Sequence, residues 1–215
     1  QPVRTRQPPP VYPYSAIIRY YIYHRTLYMP IYTKTIQIRP HQRWYRVLKG
    51  RYYMASYDYY KKEVKEYLEN RYGDISVLDV GAGDGKWGKL LKYKDMDGVE
   101  VFKPNIEKYH LEEIYRAVYN EDIRDFKYGW YDLVIFGDVL EHLEVEEAQE
   151  VLRYACQHSN DVLVAVPYEY KQGVEYGNVY EIHKQDDLTP EIMKERYPEL
   201  RELYRNDVYG YYVRK

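Results

Sequence analysis

The stretch Val77-Leu78-Asp79-Val80-Gly81-Ala82-Gly83-Asp84-Gly85-Lys86-Trp87-Gly88 decides how the chain is read. An apolar, strand-like run passes straight into a glycine-rich turn that opens a helix, an arrangement that lets backbone N–H groups approach a ligand closely. The dinucleotide fingerprint G-x-G-x-x-G fits Gly81 and Gly83 but needs a small residue at position 86, where Lys86 stands. The phosphate-binding pattern G-x-x-x-x-G-K-[ST] needs a glycine at position 80 and a hydroxyl residue at 87, and meets Val80 and Trp87. Both fail at named positions. A glycine turn of this kind can also serve helix–strand packing alone.

Upstream, Tyr59, Val64, Tyr67 and Leu68 fall at helical spacing among Lys and Glu, with Gly73 after them, and predict a helix over 57–71. Downstream, expected strands at 76–80, 98–101, 133–136 and 162–166 alternate with expected helices at 85–93, 105–115 (interrupted) and 145–156. That alternation predicts an α/β fold whose mostly parallel sheet is covered on both faces. Thr189-Pro190 starts a further helix with a cap residue and a proline at its first position. Residues 202–205 and 208–213, joined by Asn206-Asp207, predict an antiparallel hairpin that closes the sheet.

Composition narrows the chemistry. The 215 residues carry a formal net charge of −2, distributed unevenly. Residues 1–57 hold ten Lys/Arg and no Asp or Glu, whereas 58–215 hold 22 Lys/Arg against 34 Asp/Glu. A single cysteine, Cys156, excludes an internal disulfide and a thiolate metal cluster, and favours an intracellular, cytoplasmic setting. No run approaches the roughly 20 apolar residues that cross a bilayer, so a soluble protein without membrane contact is expected. Tyrosine is over-represented, 31 residues against three Phe, so aromatic volume is supplied by a side chain that also carries a hydroxyl, and the excess reads as compositional bias.

The glycine stretch, as Asp-x-Gly-x-Gly-x-Gly, resembles the first motif of the class I S-adenosylmethionine-dependent methyltransferases. Glu100 follows Asp79 by 21 residues at the end of the second expected strand; Asn120-Glu121-Asp122-Ile123-Arg124-Asp125-Phe126 resembles the family's adenine segment; and 131–143, ending Asp138-Val139-Leu140-Glu141-His142-Leu143, resembles its fourth-strand motif in a small-methyltransferase variant. Four motifs in order are far more specific than one. The resemblance covers residues 56–215 and implies a doubly wound, mostly parallel seven-stranded sheet with a C-terminal antiparallel hairpin, and S-adenosylmethionine as cofactor. It makes 54–215 the methyltransferase domain and leaves 1–53 as a basic, Tyr/Pro-rich extension.

The resemblance also implies roles. The ligand sits outside the carboxyl ends of the strands where strand order reverses. Gly81, Ala82 and Gly83 let backbone approach the methionine portion and Asp79 holds its ammonium. Glu100, with Val101, binds the ribose from a cleft with few neighbours. Asp122 and Ile123 take the adenine, and Gly137 and Asp138 close the site from the fourth strand. His142 is the candidate general base, because it follows that strand at the mouth of the site and titrates near neutrality; Glu141 and His142 could instead cap the helix expected from Val145. His183, Glu181 and Tyr168, after the fifth strand, are the candidate acceptor contacts. The cofactor carries its own activated methyl, so no metal or covalent nucleophile is demanded. Cys156 lacks the preceding proline of the cytosine-C5 methyltransferases and reads as packing; no Asn/Asp-Pro-Pro-aromatic string follows the fourth strand.

The methyl acceptor, small molecule or protein, is not named by these residues, nor is the oligomeric state. Residues 1–57 interleave basic side chains with eleven tyrosines, a pattern that can neutralise phosphates and stack on bases. That leaves an RNA or DNA methyltransferase docking through this arm as one alternative, and a catalytically silent cofactor-binding module as another. The charge and tyrosine content also looks like proteins of thermophilic archaea or their viruses.

Overall fold

The structure, a computed structural model, describes residues 58–215, and the expectations for 1–57 lie outside them. Helix α1 (Lys61–Arg71) leads into strand β1 (Val77–Val80), and α2 (Lys86–Leu91), β2 (Met96–Val99), α3 (Lys103–Tyr109) and β3 (Ala117–Tyr119) follow. Strand β4 (Tyr131–Gly137), α4 (Val145–Gln157), β5 (Ser159–Pro167), α5 (Pro190–Arg196), β6 (Leu200–Arg205) and β7 (Tyr209–Arg214) complete the chain. The seven strands form one sheet in the order β3-β2-β1-β4-β5-β7-β6. The first five in that order run parallel, and β7 is antiparallel to both β5 and β6. Strand order reverses between β1 and β4, which places a crevice at their carboxyl ends.

The sheet is buried on both faces because its central strands are mostly apolar. In β4, Val134 and Phe136 face the layer of α4 and α5, where Ala148, Val151, Leu152, Met193 and Tyr197 pack; Leu133 and Ile135 face α1 and α2, against Val64, Leu68, Trp87 and Leu91. This is the period-two alternation of a strand with two covered faces. Asp79 in β1 departs from that pattern, 1 % exposed on the α1/α2 side of the strand between Leu78 and Val80, as do the buried Asp97 in β2 and Asp161 in β5.

Helix α4 buries Ala148, Val151, Leu152 and Ala155, a single stripe, and starts at a capping box in which Glu144 and Glu147 exchange side-chain and backbone hydrogen bonds. Glu144 therefore caps this helix; Glu141 and His142 lie before it in a 3₁₀ turn, Leu140–His142, which corrects the capping alternative. Cys156 is partly buried against the core and burial raises its thiol to about 11, in keeping with a packing role. Four of the tyrosines pair with carboxylates: Tyr115, Tyr131, Tyr72 and Tyr209 donate to Asp79, Asp97, Asp161 and Asp138. These four rings fill volume while their hydroxyls serve carboxylates.

Two expectations shift. The second strand is Met96–Val99, two residues earlier than expected, so Glu100 and Val101 stand in the loop beyond it. The expected helix over 105–115 is α3 followed by a 3₁₀ turn (Leu111–Glu113), and the chain then supplies β3, a three-residue strand the sequence reading does not place.

Candidate active site at the carboxyl ends of β1 and β4

The glycine loop is built by backbone conformation. Gly81 and Gly83 adopt φ of 67° and 54°, left-handed values that cost other residues roughly 1–2 kcal/mol. A Cβ on Gly81 would lie 2.6 Å from Val139 Cγ2, whereas one on Gly83 would meet only the Gly81 carbonyl, at 3.6 Å. Gly81 is therefore held against the β4 loop, and Gly83 presents an open face. Ala82 faces inward: its N–H donates to Val99 O at 3.0 Å and ties the loop to β2.

Asp79 lies beneath this loop. Its Oδ2 accepts from Tyr115 Oη at 2.5 Å, and its buried Oδ1 has no hydrogen-bond partner among the described residues. Burial raises its pKa to about 7, opposed by the Tyr115 hydrogen bond and by the charge of Lys61. Lys61 was not anticipated. It sits on the buried stripe of α1 with Val64 and Leu68, its ammonium 4.0 Å from the centre of the Trp87 ring. Burial lowers its pKa to about 8, against the charges of Asp138, Asp79 and Asp58. The 61, 64, 68 spacing was the available signal, obscured by the usual reading of helix lysines as a solvated face.

Glu100 is a brace rather than an isolated cleft acid, which corrects the expectation of few neighbours. It is 5 % exposed, and its two oxygens accept from Gly83 N at 2.8 Å and Phe102 N at 2.7 Å. Burial raises its pKa in spite of those bonds. Asn120 reinforces the same corner, donating to the carbonyls of Glu100 and Val101. The Asn105 side chain also donates to the Glu100 carboxylate, which still keeps acceptor capacity. Asp122 is gripped by Arg124, which holds its carboxyl below the usual range, and Ile123 packs at the edge of the core.

At the end of β4, Gly137 owes its lack of a side chain to Trp87, whose Nε1 would lie 2.3 Å from an added Cβ; packing accounts for this glycine. Asp138 has φ of 57° and accepts from Tyr209 Oη at 2.6 Å. His142 donates from Nδ1 toward Ile182 O at 3.4 Å, and its ring meets that of His183 edge to face, centroids 4.7 Å apart. Burial and the neighbouring His183 lower His142 to about 4, so it is neutral around pH 7 and a weak base.

The segment after β5 supplies His183 and Glu181. Glu181 receives Gln172 Nε2 and Asn178 Nδ2, each at 3.1 Å; burial and the charges of Glu100 and Asp138 raise it to about 7. Tyr168 is a core residue, 7 % exposed, its hydroxyl bonded to Tyr212 and its ring laid over Gly210, so the expected acceptor contact is corrected to a packing role. Among the described residues Asp79, Glu100, Asp138, Glu141 and Glu181 thus lie close enough to act on one another's charge, and the buried Lys61 faces Asp138 and Asp79.

A family model described as a methyltransferase domain matches residues 51–176. No curated protein matches in sequence. Among solved structures, DhpI in complex with SAH shares 16 % identity and a TM-score of 0.57, covering 73 % of this chain and 85 % of its own. The N-terminal domain of EvdMO1 with SAH bound shares 14 % identity and a TM-score of 0.57, with 76 % and 83 % covered. An S-adenosylmethionine-dependent methyltransferase from Clostridium acetobutylicum shares 11 % identity and a TM-score of 0.54, with 71 % and 88 % covered. At these identities the likeness is one of fold. The chain belongs to the class I S-adenosylmethionine-dependent methyltransferases. Among the described residues no helix is long and apolar enough to cross a membrane.

Proposed function

We propose that this chain methylates a small molecule or protein side chain rather than a nucleic acid, and that the acceptor is held between the β4 end and the segment after β5. The carrying observation is the acidic lining: five carboxylates lie close enough to raise one another's pKa, and the described residues 58–215 carry 34 acids against 22 bases. Such a field attracts cationic or neutral polar groups and repels phosphodiesters.

The loop fits the cofactor. Asp79 Oδ1, buried and unpartnered among the described residues, suits an ammonium, and the open face of Gly83 admits close approach of a ligand. When bound, S-adenosylmethionine supplies a methyl group already activated on a sulfonium. The protein's work is positioning and exclusion of water. Asp79 holds the ammonium, the remaining acceptor sites of Glu100 hold the ribose hydroxyls, and Asp122 with Ile123 takes the adenine. Asp138 faces the acceptor with negative charge, and Glu181, raised to about 7, joins it as pH rises.

Incubation of the full chain with methyl-labelled cofactor and fractionated acceptor pools tests this reading. Label in small metabolites or protein supports it; label in RNA or DNA, lost when the basic residues of 1–57 are neutralised, would replace it with the nucleic-acid alternative.

A further inference from the structure

Glu141 is fully buried, yet neither of its carboxylate oxygens has a hydrogen-bond partner among the described residues. An ionised carboxylate in that position costs several kcal/mol unless a cation or proton accompanies it. One oxygen of Glu141 and one ring nitrogen from each of His142 and His183 lie within 4.8 Å of one another.

Each imidazole has a backbone carbonyl on its Nδ1. His142 Nδ1 faces Ile182 O at 3.4 Å and His183 Nδ1 faces Tyr170 O at 2.6 Å. A carbonyl oxygen only accepts, so a proton on each Nδ1 satisfies it and leaves the Nε2 lone pair for a metal. Protein metal sites fix histidine ligands by this outer hydrogen bond.

The frame is also held. Lys184 N and Gln185 N donate to Glu141 O at 2.8 and 3.0 Å, and Gln185 Nε2 donates to Leu140 O and Leu143 O at 2.8 and 3.1 Å. These bonds clamp the Leu140–His142 turn to the segment that carries His183. Asp138 and Glu181 add negative charge beside Glu141.

We propose that Glu141, His142 and His183 form a binding site for a divalent transition-metal ion, of the two-histidine, one-carboxylate type. Ligand bonds of about 2.0–2.2 Å put tetrahedral ligand atoms roughly 3.3 Å apart. Side-chain rotations that draw the atoms together by about 1.5 Å close the site around Zn²⁺ or a similar ion. Three protein ligands leave a position open, the arrangement of a catalytic rather than a structural site. Its use in holding an acceptor oxygen or nitrogen rests on the methyl-transfer reading; the binding itself does not.

The test is titration of the chelator-stripped full chain with ZnCl₂ alone, followed by calorimetry and thermal unfolding, and with CoCl₂, followed by visible absorption. The expected result is one-to-one saturation, a raised melting temperature and cobalt ligand-field bands. His183→Ala, in a half-buried loop position, should weaken zinc binding at least tenfold and abolish the bands while far-ultraviolet dichroism is retained; Glu141→Gln should do the same where it folds. Absence of saturable binding, or binding unchanged in His183→Ala, overturns the site. A parallel titration with S-adenosylhomocysteine separates the two claims: cofactor binding without zinc binding rejects the metal site alone, and zinc binding without cofactor binding rejects the cofactor reading alone.

Discussion

Replacing Glu100 by alanine strips the acceptor from two backbone donors, Gly83 N–H at 2.8 Å and Phe102 N–H at 2.7 Å. A hydrogen bond to a charged acceptor contributes about 1.5–3 kcal/mol, so the pair accounts for about 3–6 kcal/mol. Part of this is offset. The carboxylate is buried and its pKa raised by that burial, so deleting it recovers some desolvation cost, and water entering the gap can serve the freed N–H groups. The net expectation is a loss of about 2–4 kcal/mol, or roughly 4–16 °C in melting temperature at about 2–4 °C per kcal/mol. Glu100→Gln keeps one acceptor but turns an amide donor toward the other N–H, and should fall between wild type and alanine. Equilibrium urea unfolding of the three proteins at pH 7 measures the series. If Glu100→Ala unfolds within about 0.5 kcal/mol of wild type, the ordinary scatter of surface substitutions, then Glu100 does not brace the glycine loop.

Asp79 holds its proton up to about pH 7 when folded, against 3.8 ordinarily, so its contribution to stability is full below pH 3.8 and is lost as pH rises through 7; Asp79→Asn should flatten that slope in urea midpoints. Over the same range S-adenosylhomocysteine, which carries an ammonium, should bind more tightly as Asp79 ionises, and calorimetry of Asp79→Asn should show no such trend. Gly137→Ala should cost about 1–3 kcal/mol through overpacking against Trp87, and the smaller Trp87→Phe in the same chain should relieve part of it, as read by thermal unfolding. A chain beginning at Met54 should fold and bind S-adenosylhomocysteine with unchanged affinity; loss of near-ultraviolet dichroism would move the domain boundary toward residue 1.

What the sequence shows depends on how local the cause is. The β1 loop, α4 and the closing hairpin are legible because apolar periodicity, glycine punctuation and capping residues act within a few positions. Strand β3 is too short, and too near the end of an amphipathic stretch, for periodicity to separate it from the preceding helix. The roles of Gly137 and Tyr168 turn on what lies opposite, Trp87 and Gly210, and no local pattern carries that. Glu141, His142 and His183 each stand out in the sequence, but their meeting follows only from topology. Strands β4 and β5 are parallel neighbours, so the segments leaving their carboxyl ends share one edge of the sheet. Lys61 was hidden for a different reason, as a charge on the buried stripe of a helix.

The central claim is that the loop from Asp79 to Gly85 cradles S-adenosylmethionine and no other common nucleotide cofactor. Calorimetric titration of the full chain with S-adenosylhomocysteine, NAD and ATP in turn tests it most directly. The account predicts single-site binding of S-adenosylhomocysteine, a raised melting temperature with that ligand alone, and no heat from the other two. Saturable binding of NAD or ATP, with none of S-adenosylhomocysteine, would contradict it.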